Sequence, residues 1–246
     1  SGLIGEGLRN HFLVFEFAAG NSELKDGQNE LVVRLAAPEV NGVRATKTYT
    51  FHRGSYLIDV GYEIENKGST ALVPTAYFHT LRDGKPPEGS TGGAFGVNVF
   101  TGPAVYTEQD KYQKVAFDDI AKGKAKHAQK ADNGWIAMVQ HYFVSAWLPQ
   151  GKSEREFYTE KLGDDLYRAG VKLPLAQVAA GATGKVGVAL YAGPQEQDNL
   201  AKIAPGLDLV VDYGWLTVVA APLFWVLEMI HKLVGNWGWA IIALTV

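Results

Sequence analysis

Six histidines, His11, His52, His79, His127, His141 and His231, are the side chains here best suited to proton transfer or metal ligation near neutral pH. No two are spaced as ligands on one helical face or on alternate strand positions, so a metal site would have to be assembled across the fold. The chain has no G-x-S-x-G elbow, no S-x-x-K, no phosphate loop and no H-E-x-x-H. Gly89–Gly96 is rich in glycine but lacks the spacing that cradles a phosphate or a dinucleotide, and reads as a flexible loop. Asp118-Asp119 and Asp164-Asp165 are adjacent carboxylates, which point apart on a strand and read as solvated turns rather than an acid/base pair. His79 and His141 lie in strand-like runs and, with Trp135, are candidates to line a concave cleft. The aromatic set Trp135, Tyr142, Phe143 and Trp147 reads as core. No residue is assigned to catalysis, to a cofactor or to a metal.

The other chemistry available is contact with lipid, at the C-terminal end. Trp215–Val234 is apolar except for Glu228, His231 and Lys232, whose i, i+3, i+4 spacing puts them on one helical face. Val219, Leu223, Val226, Leu227, Ile230 and Leu233 gather on the other side. Three readings stay open from these residues: a membrane span, a buried core helix, or a helix lying in the membrane surface. Pro222 weakens or kinks a straight span. Trp215, Trp225, Trp237 and Trp239 suit an interfacial belt. After Gly235-Asn236 a second apolar run starts at Trp237 and stops at Val246, about half of the roughly 20 residues that a bilayer core requires. It is expected to be the start of a transmembrane helix, cut off by the end of the chain.

The elements that must position these groups read as β. In the 246 residues, 47% are hydrophobic, enough for a full core. The net charge of -3, with both signs interspersed, argues against a nucleic-acid-binding face. The absence of cysteine excludes disulfides and thiolate metal sites. Ser1–Asn10 has no apolar core and is not a signal peptide. Tyr56, Ile58, Val60, Tyr62 and Ile64 alternate with more polar or small neighbours, the period of a half-buried strand. Further strands are expected at Phe12–Phe17, Leu31–Leu35, Thr46–Phe51, Ala71–Thr80, Phe95–Phe100, Lys111–Phe117, Trp135–Leu148, Arg155–Thr159, Leu166–Val171 and Lys185–Tyr191. Asn41-Gly42 signals a turn, in a connection longer than a minimal hairpin. Arg82–Gly96 is expected to be a mobile loop. Many strands without alternating helices predict an antiparallel sandwich.

Several strings taken together resemble the YidC membrane-protein insertase family. They are Leu207-Asp208-Leu209, Val211-Asp212-Tyr213-Gly214-Trp215, Pro222-Leu223-Phe224 and Gly235-Asn236-Trp237-Gly238 at the C-terminal end. Upstream, Asp26–Leu31, Thr46–Tyr49, Lys111-Tyr112, Phe117-Asp118, Gly134–Met138, Phe157–Thr159 and Gly193-Pro194 match the large periplasmic domain of that family. The resemblance implies a mainly β, antiparallel supersandwich, similar to galactose mutarotase, over 1–192, beginning inside the domain with N-terminal strands missing. It implies a short helix and linker over 193–214, a membrane-surface helix over 215–234, and the start of a transmembrane helix over 237–246. The surface helix would act through Trp215, Leu223, Trp225, Leu227, Ile230 and Leu233, and the span would start at Asn236, Trp237 and Trp239. The arginine essential to the family's insertion groove would fall just beyond Val246, so this segment is not expected to insert proteins alone.

The resemblance further implies a noncatalytic periplasmic part of a multi-pass bacterial inner-membrane insertase and chaperone, without a cofactor. Its implied partners are the lipid bilayer, the Sec translocon components SecDF and SecYEG, and nascent membrane proteins. Two other classes compete on residues alone. One is a carbohydrate- or extended-peptide-binding module using the sandwich cleft. The other is a sugar-converting enzyme, disfavoured because no acid/base constellation is visible.

Overall fold

The alternation around Val60 builds the centre of the fold. Val60, Tyr62 and Ile64 turn inward and are buried, while Glu63 and Glu65 point outward. In the computed structural model this strand lies in the middle of a nine-stranded antiparallel sheet that faces a second sheet of five strands. The structure describes residues 1–5, 8, 14–17, 20, 22–85, 100–211 and 217–245. Its elements are β1 (Gly2–Ile4), β2 (Glu16–Phe17), β3 (Glu30–Ala36), β4 (Val43–His52), β5 (Leu57–Asn66), β6 (Thr75–Asp83), β7 (Gly102–Thr107) and β8 (Lys111–Lys114). There follow α1 (Phe117–Ala121), β9 (Lys130–Ala131), β10 (Trp135–Val139), β11 (Phe143–Leu148), β12 (Arg155–Leu162), β13 (Leu166–Pro174) and β14 (Thr183–Pro194). Helices α2 (Gln197–Ile203), α3 (Thr217–Val234) and α4 (Trp237–Thr245) come last, with a 3-10 turn at Leu207–Val210 between α2 and α3. The sheet orders are β1-β6-β13-β12-β9 and β2-β3-β4-β5-β14-β11-β10-β7-β8. Phe78, Phe157 and Val171 of the smaller sheet interdigitate with Val60, Ile64, Val105, Ile136 and Val188 of the larger. The Phe78 ring lies 5.2 Å from Trp147 and 6.1 Å from Tyr62, which ties the two layers through aromatic edges.

Local chemistry explains where the strands stop. Asn41 and Gly42 both have positive φ, at 53° and 75°, and Val40 and Val43 exchange hydrogen bonds at 3.0 Å in both directions. That is a two-residue turn of the type that matches strand twist, so the connection is tighter at its tip than the sequence suggested. The extra length is taken up beside Pro38, where the register between β3 and β4 slips by one residue. Proline cannot donate to the ladder, and a bulge accommodates it.

Four other expectations change. Trp135–Leu148 is a hairpin rather than one strand, because β10 and β11 pair from Ile136↔Trp147 to Val139↔Val144. Its turn, Gln140-His141-Tyr142, has none of the glycine, proline or asparagine punctuation that marks a reversal. Lys111–Phe117 ends in α1, whose first turn carries Asp118 and Asp119, where acids suit the positive end of a helix. Strand β7, fully paired between β8 and β10, had no separate signal. Tyr142 and Phe143 are exposed, at 71% and 57%, because they sit at the hairpin tip rather than in the core; Trp135 and Trp147 are buried. The strand expected at Phe95–Phe100 lies outside the described residues except for Phe100, as does the loop Arg82–Gly96 beyond Lys85.

The chain divides into two compact units, one of Ser1–Lys85 with Thr101–Val210 and one of Pro86–Phe100 with Val211–Val246. The segment after Pro194 therefore belongs to the sandwich as far as Val210. Leu200, Leu207 and Val210 are fully buried, which holds α2 and the 3-10 turn against it.

Candidate functional site

In the second unit, α3 and α4 meet at a corner built from three local devices. Gly235 adopts φ 68°, the left-handed position that ends a helix, and its N–H donates to the His231 carbonyl at 2.7 Å. Asn236 caps α4: its Oδ1 accepts from the N–H of Gly238 at 2.8 Å and of Trp239 at 3.3 Å. The His231 imidazole stacks on the Trp237 indole, 3.9 Å between centroids and 9° from parallel. Asn236 thus has a defined structural job at the start of α4, and His231 of the polar face turns toward that corner.

The apolar side chains of this unit are mostly uncovered. On α3, Trp225, Met229 and Leu233 form an i, i+4, i+8 row, each exposed, with Leu233 at 83%. Leu223, Phe224 and Val234 are exposed as well, whereas Leu227 and Ile230 are half-buried. On α4, Trp237, Trp239, Ile241 and Ile242 are exposed and Ala240 is buried. Trp215 lies outside the described residues. Among the described residues no helix is long and apolar enough to cross a membrane. With nine residues, α4 spans about 14 Å against a hydrocarbon core of about 30 Å.

The three cleft candidates do not come together. Trp135 is buried beneath the segment after α2: its indole N–H donates to the Pro205 carbonyl at 2.9 Å, and its ring stacks on Tyr106 at 5.6 Å. A cavity of about 270 Å³ opens there, lined by Tyr106, Trp135, Arg155 and Pro205 among others. His79 is on β6, in the other sheet, with Nδ1 3.2 Å from the Tyr158 hydroxyl and its ring stacked on Tyr77. His141 is in the β10–β11 turn, edge-on to Tyr142 at 4.1 Å. Trp135→Phe keeps an aromatic ring but removes the N–H and part of the buried volume. It is expected to lower stability by about 1–2 kcal/mol, from the lost hydrogen bond and the smaller side chain at a buried position, and to speed proteolysis within 196–206.

Two arrangements had no signal in the reading of the sequence. The first is Arg155, 1% exposed, which donates to the carbonyls of Asp132, Gly134, Pro149, Gly151 and Ser153 at 2.6–3.1 Å. Burial lowers its pKa, with the Asp132 charge acting in the opposite sense. It organises two loops and touches no open site beyond the small cavity.

The second lies on the outward face of β6, β13 and β12. Register places Lys172 opposite Glu156, Gly170 opposite Tyr158 and Arg168 opposite Glu160. Lys172 Nζ and Glu156 are 2.7 Å apart, and Arg168 pairs with Glu160. Gly170 is required: a Cβ there would lie 2.8 Å from the Tyr158 ring and 2.6 Å from His79. Burial pushes the Tyr158 hydroxyl up to about 12, so it stays protonated at neutral pH. A cavity of about 430 Å³ opens over this face, lined by Tyr77, Tyr158, Glu160, Arg168 and Lys172 among others.

A family model of the YidC periplasmic domain matches residues 1–226. The chain is 62% identical over 246 residues to the membrane protein insertase YidC of Aromatoleum aromaticum, covering 100% of this chain and 44% of that protein. It is 57% identical to the membrane protein insertase YidC of Dechloromonas aromatica, covering 100% of this chain and 45% of that protein. The chain thus spans about half the length of the curated relatives it matches. Among solved structures it is similar to a galactose mutarotase related enzyme from Lactobacillus acidophilus, with a TM-score of 0.44, 8% identity and coverage of 72% of this chain and 70% of that one. It is also similar to an alpha-galactosidase from Lactobacillus brevis, with a TM-score of 0.45, 8% identity and coverage of 81% and 29%.

Proposed function

The chain belongs to the YidC membrane-protein insertase family, and from that premise we propose that it is a noncatalytic periplasmic part of an insertase in a bacterial inner membrane, held to the bilayer by α3. In this reading residues 1–192 form the periplasmic sandwich and 193–214 a short connection. Residues 215–234 are the surface helix, and 237–246 begin a transmembrane helix. Nascent membrane proteins are the clients of the whole protein, and the Sec components SecDF and SecYEG are its partners. The names borne by the relatives favour this reading over a sugar- or peptide-binding module.

The observation that carries the proposal is the set of uncovered apolar side chains: Trp225, Met229 and Leu233 on α3, followed by Trp237, Trp239 and Ile241 on α4. In water such a surface is a liability. Burying six apolar side chains at about 1.5–3 kcal/mol each supplies on the order of 10 kcal/mol before ordering costs. Tryptophans at both ends of the corner suit the headgroup level, where an apolar ring with one N–H is best accommodated. Photo-crosslinking groups at positions 225 and 233 of the full-length protein test this. Lipid adducts at both positions are expected, and protein adducts without lipid at either would overturn the surface-helix assignment.

A further inference from the structure

We propose that the outward face of β6, β13 and β12 binds a phosphate group, with Arg168 and Lys172 as its cations. The site does not depend on the surface-helix reading. The two residues lie at i and i+4 on β13, on the same face of the strand, with Gly170 between them. Because Gly170 has no side chain, the Tyr158 ring from the next strand lies over it, and both cations converge on that ring. The Arg168 guanidinium is 5.6 Å and the Lys172 ammonium 5.1 Å from its centroid. Two cations drawn to one ring leave their donors facing a common space, the cavity of about 430 Å³.

One donor of the Arg168 guanidinium lacks an acceptor. Arg168 Nε is buried and has no hydrogen-bond partner, although the rest of the guanidinium pairs with Glu160. Buried donors without acceptors are rare, so pairing with Glu160 leaves this guanidinium incompletely satisfied. The neutral Tyr158 hydroxyl adds a polar group that an anion does not repel. A phosphate suits the site better than a single carboxylate because it presents oxygens to Arg168, Lys172 and a hydroxyl together. The cavity leaves space for whatever the phosphate is attached to.

Glu160 and Glu156 are the competitors. They neutralise the two cations, and each carboxylate side chain is about half exposed, at 50% and 45%. Half-exposed ion pairs are weak, so a phosphate can displace or share them. This gives the site a signature that a purely structural ion-pair lattice lacks: removing an acid and removing a base must act in opposite directions.

The test titrates the 246-residue chain in non-ionic detergent with glycerol phosphate and, separately, mixes the chain with phosphatidylglycerol vesicles after the detergent is removed. Saturable binding of glycerol phosphate is expected with Kd of about 1 mM. Arg168→Gln and Lys172→Gln each weaken it about tenfold or more, and Glu160→Gln tightens it roughly two- to fivefold. If the natural source is a lipid headgroup, the Arg168→Gln, Lys172→Gln double variant also binds the vesicles less. If the source is a soluble phosphate, vesicle binding is unchanged while glycerol phosphate binding is lost. Far-UV circular dichroism keeps loss of fold separate from loss of site. No saturable glycerol phosphate binding, together with vesicle binding that is unchanged in the double variant, overturns the proposal, and so does weaker glycerol phosphate binding in Glu160→Gln.

Discussion

Arg155→Met is expected to destabilise the sandwich by about 3–5 kcal/mol, the scale of several buried carbonyls losing a charged donor at once. The reason lies in the five carbonyls that the guanidinium satisfies, from Asp132, Gly134, Pro149, Gly151 and Ser153. Methionine fills much of the volume and leaves those oxygens without their donor, each a desolvation cost of about 1–3 kcal/mol unless water enters. The loops cannot easily re-form their own bonds. Gly134 is fixed at φ 95° with its Cα against the Tyr106 carbonyl, and Gly151 at φ 68°. For a unit of this size such a loss lowers Tm by roughly 10 °C, readable in a thermal melt. Arg155→Lys keeps the charge but presents three donors from one point, so it recovers less than half of the loss. Hydrogen exchange adds a second check, because amides in 132–134 and 149–153 should lose protection before those of β5 and β14. Near-equal melting of wild type and Arg155→Met would mean that the carbonyls find other donors.

How far the fold was legible follows from which signals are local. The β5 alternation, Val60, Tyr62 and Ile64 against Glu63 and Glu65, is a property of one strand, and it predicted the buried face directly. Asn41-Gly42 is local in the same way. The hairpin at Gln140-His141-Tyr142 was not, because a reversal made by ordinary residues is set by pairing across β10 and β11 rather than by turn chemistry. Arg155 illustrates the same limit in the core. An arginine after Gly151-Lys152-Ser153 reads as solvated, and only the convergence of two distant loops turns it into a buried clamp.

The outward face of the smaller sheet lies between these cases. Glu156, Tyr158 and Glu160 alternate visibly in the sequence, as do Arg168, Gly170 and Lys172. What no single strand contains is the register that sets acid against base and tyrosine against glycine. His79, His141 and Trp135 failed to assemble for a related reason. They sit on β6, in the β10–β11 turn and on β10, and no pairing brings β6 beside β10.

For α3 the expected result is a graded loss of membrane binding that follows side-chain exposure rather than hydrophobicity alone. Leu223→Asp and Leu233→Asp remove side chains that are 49% and 83% exposed. Each deletes about 1.5–3 kcal/mol of burial in lipid and places a carboxylate near the acyl boundary, for a combined loss on the order of 3–4 kcal/mol. That corresponds to roughly 10²–10³-fold weaker partitioning onto vesicles, measured by flotation. Ile230→Asp acts at a half-buried position. Part of its effect should therefore appear as lost helix stability in circular dichroism, and its effect on binding should be smaller per unit of retained helix. Lys232→Gln, on the polar face, should cost about 1 kcal/mol on anionic vesicles and nothing on neutral ones. A core helix would give the reverse order, with Ile230→Asp the most damaging and the exposed positions tolerant. Unchanged flotation of both Leu223→Asp and Leu233→Asp would therefore remove α3 as the contact with lipid.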